Sequence, residues 1–354
     1  MKIGISMSAI SKNNIWIIVQ SYPPAIGGIE TFTKMLAEGL ADRNYQIHVL
    51  VTGRNIELGG LLNTVPTHLK IVRPGNPFHL FICFLKCDLI VFSNFSLSYF
   101  PLVWLSRTRS LVIHHVSPFC HDRALNWREK VKQLVFTKTI NIFVSENLKV
   151  LSGLNGDVIH NGTPFLIDAA KNSDRRTYEF LFLGRLIPEK GVRTAILAFS
   201  KIAPLQNGYV FNIVGEGESR RELEQLTRHL NLEANIRFLG SMDEYEIREL
   251  LKRHKFLLFP SEWREPFGLV AIEALTQGCI PIVADSGGIL EACKNFAIPF
   301  KAGDTSKLAE ILESSLANYS IIYDSIFDEI DFKVFTAETM LEKYDRAIQE
   351  VLNL

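Results

Sequence analysis

Apolar residues in this chain come in short runs, each followed by a polar, turn-rich stretch. Seven runs in the first half read as strands, at 14–20, 46–51, 69–73, 88–92, 110–115, 141–145 and 157–160. Six more follow at 179–183, 209–214, 235–239, 255–260, 279–283 and 297–300. Most are continuous rather than alternating, as expected of parallel strands covered on both faces. Helical patterns lie between them, notably 29–41, 267–277 and 336–352. Strand and helix alternating in this way predict an α/β chain. Asn161 to Thr177 is polar and aperiodic, which places an inter-domain linker there.

Length supports that division, because 354 residues suit two domains better than one. Apolar content of 47% is ample for two cores. Net charge is zero but uneven, with 16 Lys and Arg against 10 Asp and Glu in residues 1–170. A basic first half suits an anionic surface or acceptor, and it equally suits ordinary surface variation. Cys83, Cys87, Cys120, Cys279 and Cys293 form no Cys-x-x-Cys pair, which fits a reducing compartment such as the cytoplasm. Lys12, Asn13 and Asn14 interrupt any signal-peptide core, and no apolar stretch reaches the roughly 18 residues of a membrane span.

Candidate chemistry concentrates between Phe256 and Glu291. A buried-type strand ends at Pro260, Ser261 to Arg264 suit a loop at its carboxyl end, and Pro266 suits the first position of a helix over 267–277. The amides of Phe267 and Gly268, with Leu269 following, then form an anion site at the helix start, and Gly268 admits a phosphate. Glu265 precedes that helix and Glu273 lies inside it. Eight residues at helical rise span roughly 12 Å, the reach from a sugar past a diphosphate to a ribose. A carboxylate accepts well from paired hydroxyls, so each glutamate suits a diol. Upstream, Gly184-Arg185-Leu186 and Lys190-Gly191 follow another strand, and two cations at a strand end suit a diphosphate.

Several other motifs fit the same picture. Gly27-Gly28-Ile29-Glu30 joins a strand to a helix and lets backbone approach a ligand. Gly215-Glu216-Gly217 opens like a phosphate loop, but Arg220 occupies the third glycine position of a dinucleotide fingerprint, which disfavours a Rossmann oxidoreductase. His114 and His115 end a strand, with Cys120, His121 and Asp122 beyond, in a spacing that matches no zinc pattern. Substrate hydrogen bonding suits one of the two histidines better. Arg123 to Lys138 mixes Trp127, Leu134, Val135 and Phe136 with five cations, a pattern shared by helices on anionic bilayers and by ordinary domain helices.

Together these motifs resemble the retaining GT-B glycosyltransferases of glycosyltransferase family 4. The resemblance rests on Glu265 and Glu273, on Gly184-Arg185-Leu186 with Lys190-Gly191, on Gly27-Gly28-Ile29-Glu30, and on Asn161-Gly162. Phe238-Leu239-Gly240 and Gly287-Gly288 with Glu291 belong to it too. Thr163-Pro164 departs from the Val-Asp pair common in the family. The implied fold is two Rossmann-like, doubly wound parallel-sheet domains, 1–165 and 166–335, facing across a cleft. The last helix, about 336–354, would pack back on the first domain. The implied activity is retaining transfer of a hexose-type sugar from a nucleotide-diphosphate sugar to a saccharide acceptor, lipid-linked or free, in cell-surface polysaccharide synthesis.

In that scheme Arg185 and Lys190 neutralise the diphosphate, Glu273 holds the ribose, and Glu265 holds a sugar hydroxyl. Gly27, Gly28, Gly215, Phe267, Gly268 and Leu269 complete the donor site. His115 is the catalytic-site histidine, with His114 the alternative. Asp-x-Asp is absent, so no metal and no other cofactor is expected, and neither is nucleic acid. The cytoplasmic side of a membrane, with peripheral contact to anionic lipid, is the expected place. Two other readings remain: a nucleotide-sugar epimerase of the same fold, which needs no acceptor, and a non-catalytic two-domain sugar binder.

Overall fold

The computed structural model, which describes residues 12–25, 27–53, 67–73, 76–98, 100–119, 125–168, 176–203 and 208–353, turns the apolar runs into two all-parallel sheets. One unit runs to Pro164 and resumes at Ala337; the other is Phe165–Thr336. The first sheet contains β1 (Lys12–Val19), β2 (Tyr45–Val51), β3 (Leu69–Val72), β4 (Leu89–Ser93), β5 (Arg109–His114), β6 (Ile140–Phe143) and β7 (Asp157–Val158). Their order is β3-β2-β1-β4-β5-β6-β7. The second contains β8 (Tyr178–Leu183), β9 (Phe211–Val214), β10 (Ile236–Gly240), β11 (His254–Phe259), β12 (Ile280–Ala284) and β13 (Ile298–Phe300), ordered β10-β9-β8-β11-β12-β13.

Burial explains why these runs are strands. All five residues of β4 and all five of β12 are buried, as central strands with helices on both faces require. Chain order reverses between β1 and β4 in one sheet and between β8 and β11 in the other. Crevices beyond the carboxyl ends of strands at such reversals are where open α/β sheets bind ligands. In the second unit, the loops bordering the reversal are 184–191 and 260–268.

The last helix, Ala337–Asn353, belongs to the first unit. Tyr344 on it is fully buried and meets Phe32 edge-on, with ring centroids 5.6 Å apart. Tyr45 donates to Asp345 at 2.7 Å, and Arg109 donates to the Leu352 carbonyl at 2.6 Å.

Two expectations need correction. The helix expected over 267–277 is Leu269–Thr276, because Gly268 takes φ 102 and caps it. Pro266 therefore does not start the helix, and the 12 Å helical span between the two glutamates does not apply. The helix expected from Arg123 starts at Trp127. Asn126 accepts from the Glu129 amide while the Glu129 side chain accepts from the Asn126 amide, a reciprocal cap that fixes the start. The boundary between the two units, at Pro164 and Phe165, falls within the stretch 161–177 expected as the linker, and that stretch is anchored on the second unit. Phe165 is buried in the second core, and Arg176 is buried with one nitrogen donating to the carbonyls of Leu251, Lys252 and His254 and the other to Gln277.

Candidate functional site

In the second unit, four loops leave the carboxyl ends of neighbouring strands and interlock. The Gly184 amide donates to Val214, the Gly215 amide to Gly240, and the Leu186 amide to Glu216. The amides of Glu262 and Trp263 both donate to the Glu189 carbonyl, at 2.9 and 3.2 Å. Gly288 donates to the Glu265 carbonyl at 2.7 Å. Glycine is required where the loops touch. At Gly191, φ is 65 and an added Cβ would lie 1.9 Å from the Pro260 oxygen. At Gly268, a Cβ would lie 2.0 Å from Ile289 Cδ1. The positive φ of 102 and the packing against Ile289 both favour glycine at that position.

Charges sit on this frame. Lys190 Nζ lies 2.6 Å from Glu265 Oε1, and the Ser261 hydroxyl donates to the same oxygen at 2.6 Å. Glu265 is 7% exposed and Ser261 2%. Oε2 has no partner among the described residues, so it remains an acceptor aimed from a fixed carboxylate. The Lys190 ammonium also stands 5.7 Å from the Phe259 ring centroid, on its face. Thr194 donates to Glu262 at 2.8 Å and steadies the outer part of the loop. Arg185 is exposed and makes no side-chain hydrogen bond or ion pair among the described residues.

Glu273 lies within the helix Leu269–Thr276, between buried Ile272 and Ala274. It keeps a little accessible surface, yet dense packing surrounds the carboxyl. Burial, with the Glu244 carboxylate adding to it, raises its pKa from 4.5 to about 7. No described residue hydrogen-bonds to its side chain. It is an acid held near neutrality with its acceptor capacity unused.

The first unit places its candidates on helix Gly28–Asp42 and strand ends. Gly27 caps this helix without a side-chain bond, and its carbonyl accepts from Thr31 at 3.0 Å. An added Cβ at Gly28 would meet nothing within 4 Å, so the fold itself does not demand glycine there. His115 is 6% exposed, packs against Phe32 at 4.5 Å, and lies 3.2 Å from the Ser93 hydroxyl, itself 3.0 Å from Thr33. Burial, and then His114, lower its pKa to about 3, so the ring is neutral. His114 points into the core, stacked on Phe143 at 4.6 Å and 3.0 Å from Asn141 Oδ1. Burial lowers its pKa to about 4. Cys120, His121 and Asp122 lie outside the described residues. No group of three or more His, Cys, Asp or Glu that could hold a metal occurs among the described ones.

The structure thus joins Lys190 to Glu265 and lays Gly184, Gly215 and Gly268 into one mesh of loops at the strand ends. Sequence reasoning missed Ser261, Thr194 and the clamp made by Arg176. It also missed Trp263, 57% exposed beside Glu265, with its carbonyl held by the Ser286 hydroxyl at 2.9 Å. Only the position of Ser261, at the end of an apolar run, hinted at any of these.

The family profile of glycosyl transferases group 1 matches residues 166–325. Over those residues the chain is similar to the group 1 glycosyl transferases. A glycogen synthase of Mycobacterium tuberculosis is 38% identical over 144 residues, covering 39% of this chain. The match spans 34% of that synthase, about a third of its length. The uncharacterized glycosyltransferase MJ1607 of Methanocaldococcus jannaschii is 26% identical over 327 residues, 79% of this chain and 83% of that protein. Among solved structures, Anabaena Alr3699/HepE in complex with UDP and glucose superposes with a TM-score of 0.77 at 19% identity, over 96% of this chain and all of that one. At that identity the superposition shows the fold: the chain carries a GT-B fold as two parallel-sheet units, and residues 166–325 lie in the second.

Proposed function

We propose that the protein transfers a hexose-type sugar from a nucleotide-diphosphate sugar to a hydroxyl of a saccharide acceptor, keeping the anomeric configuration. One observation carries the reading. Lys190, Glu265 and Ser261 form a buried charged cluster beside the chain reversal of the second sheet, and that cluster leaves Glu265 Oε2 available. A sugar hydroxyl donating to Oε2 would be held by a carboxylate that cannot swing away. Arg185, exposed and unpaired, would meet the diphosphate, with Lys190 lending charge. Glu273 would accept from the ribose. Departure of the diphosphate builds negative charge, and preorganised cations lower the cost of that build-up. The relatives support the substrate class, since the Anabaena structure contains UDP and glucose and the mycobacterial relative is a glycogen synthase.

From the first unit, Gly27 and Gly28 would offer helix amides to a phosphate, and His115 a neutral imidazole to substrate. We place the acceptor among saccharides, lipid-linked ones included, in cell-surface polysaccharide assembly on the cytoplasmic side of a membrane. Transfer is proposed to need no metal, with Arg185 and Lys190 in the part a divalent ion plays elsewhere. Among the described residues no helix is long and apolar enough to cross a membrane.

Thermal unfolding against UDP, GDP, ADP and their sugars tests the donor assignment, because a ligand that binds the folded state raises the midpoint. At least one nucleotide sugar is expected to stabilise the protein, and Lys190→Ala and Glu273→Ala to abolish the shift. Undiminished shifts in both variants would remove the assignment. Turnover that survives a chelator is expected, and its complete loss would refute metal independence.

A further inference from the structure

A groove of about 560 Å³ opens on the first unit, away from the residues assigned above. That size falls within the roughly 300–1,000 Å³ typical of small-molecule sites. Its lining is partly aromatic: the Phe95 ring lies 5.0 Å from Phe92 and 6.0 Å from Phe100, all three lining the groove. Its walls come from helix Phe100–Ser106 and helix Trp127–Phe136. At the rim, Trp104 is 63% exposed and Leu134 is 68% exposed, and neighbouring Leu105 is 58% exposed. Large side chains clustered around an apolar groove are not the scattered single exposures of an ordinary surface.

Charge narrows the occupant. The lining includes Arg107, Arg109 and Lys138 and no carboxylate. Arg109 is engaged with the Leu352 carbonyl. Arg107 and Lys138 are exposed and have no side-chain partner among the described residues. An apolar slot with two unpaired cations complements a molecule with a hydrocarbon chain and an anionic head. Exposed tryptophan beside cations is also the residue chemistry favoured where a protein meets a bilayer surface.

We propose that this groove seats an acyl chain of an anionic phospholipid, with Arg107 and Lys138 on its phosphate, and so docks the first unit on a bilayer. The contact differs from a basic helix lying flat across 123–138. It uses Leu134 and Trp104, and it leaves Trp127, at the other end of helix Trp127–Phe136 and outside the groove lining, without a part. Seating a lipid here requires nothing of the sugar chemistry proposed above.

The test is cosedimentation of the full chain with phosphatidylcholine vesicles, with and without phosphatidylglycerol. The protein is expected to pellet with the anionic vesicles, less so as salt is raised, and to ignore the neutral ones. Trp104→Ser and Leu134→Ser should each weaken binding at least about tenfold, since burying one large apolar side chain is worth more than a decade in an equilibrium constant. Trp127→Ser should change it little. As a second readout, brominated phosphatidylglycerol should quench a fluorescence component that Trp104→Phe removes. The exposure of these positions makes native-like circular dichroism the expected control. Equal binding to neutral vesicles, no binding at all, or binding indifferent to Trp104→Ser and Leu134→Ser overturns the proposal. So does self-association that Leu134→Ser abolishes in a protein that never pellets with vesicles, because the groove would then be covered by a second copy.

Discussion

Replacing Glu273 by glutamine should stabilise the unliganded protein, increasingly as pH rises from about 4.5 to 7 and fully above that. The carboxyl titrates near 7 in the fold against 4.5 as its ordinary value. A folded-state value above the unfolded one means that the fold holds the proton more tightly. That contribution is fully present below about 4.5 and is lost as pH rises through 7. Each unit is worth about 1.4 kcal/mol, so ionising Glu273 costs the fold about 3 kcal/mol by pH 8.5. Glutamine keeps the shape and never ionises. For a unit of this size, the gain is about 6–12 °C in the midpoint. Urea and thermal unfolding of both proteins from pH 4 to 9, followed by circular dichroism, would measure it. The difference should be near zero at pH 4 and should open across pH 5–8. A difference that is constant with pH, or a glutamine variant less stable at pH 8.5, refutes the reasoning. Nucleotide affinity supplies a separate limb. If the ionised carboxylate accepts from the ribose, wild-type affinity rises about tenfold between pH 6 and 8, while the glutamine variant binds weakly at both. A flat wild-type profile with the stability limb intact would remove the ribose role alone.

Lys190→Ala strands the buried Glu265 carboxylate and should cost about 3 kcal/mol, measurable by urea unfolding. Adding Glu265→Gln should recover much of that stability and none of the transferase activity; recovery of turnover would contradict the proposed roles. Gly28→Ala meets no atom within 4 Å and removes a flexible residue from a helix start, so it should stabilise by up to about 1 kcal/mol. If a phosphate approaches there, the same change lowers turnover with the nucleotide sugar, and unchanged turnover would argue against that approach. His254 is buried with Asn212 at 2.8 Å and the Leu250 carbonyl at 2.6 Å, and its pKa falls to about 4, chiefly through burial. A lowered histidine value gives stability that is present above 6.5 and lost as pH falls toward 4. His254→Gln should therefore flatten the acid limb of unfolding, and an unaltered limb would show that other groups set it.

How much of this was legible in the sequence depended on whether a feature was local. Every strand expected from an apolar run exists within two residues of its expected ends, because a strand buried on both faces must be apolar throughout. The helix at Leu269 was misplaced for a local reason with a distant cause. Proline suggested an early start, but Gly268 takes a positive φ as the cap, and Ile289, twenty-one residues on, occupies the place a Cβ would take there. Arg176 was hidden for the same kind of reason. It stands in a polar stretch that reads as a linker, and its partners are carbonyls 75 to 101 residues away. The candidate site divides along this line. Residue types at strand ends revealed Glu265 and Lys190 separately, but nothing in their spacing of 75 residues said that they would share one oxygen with Ser261. That shared oxygen also refines the division of labour expected from sequence. Lys190 is spent in part on fixing Glu265, so in the proposed function Arg185, exposed and without a partner among the described residues, is the cation left free for a diphosphate.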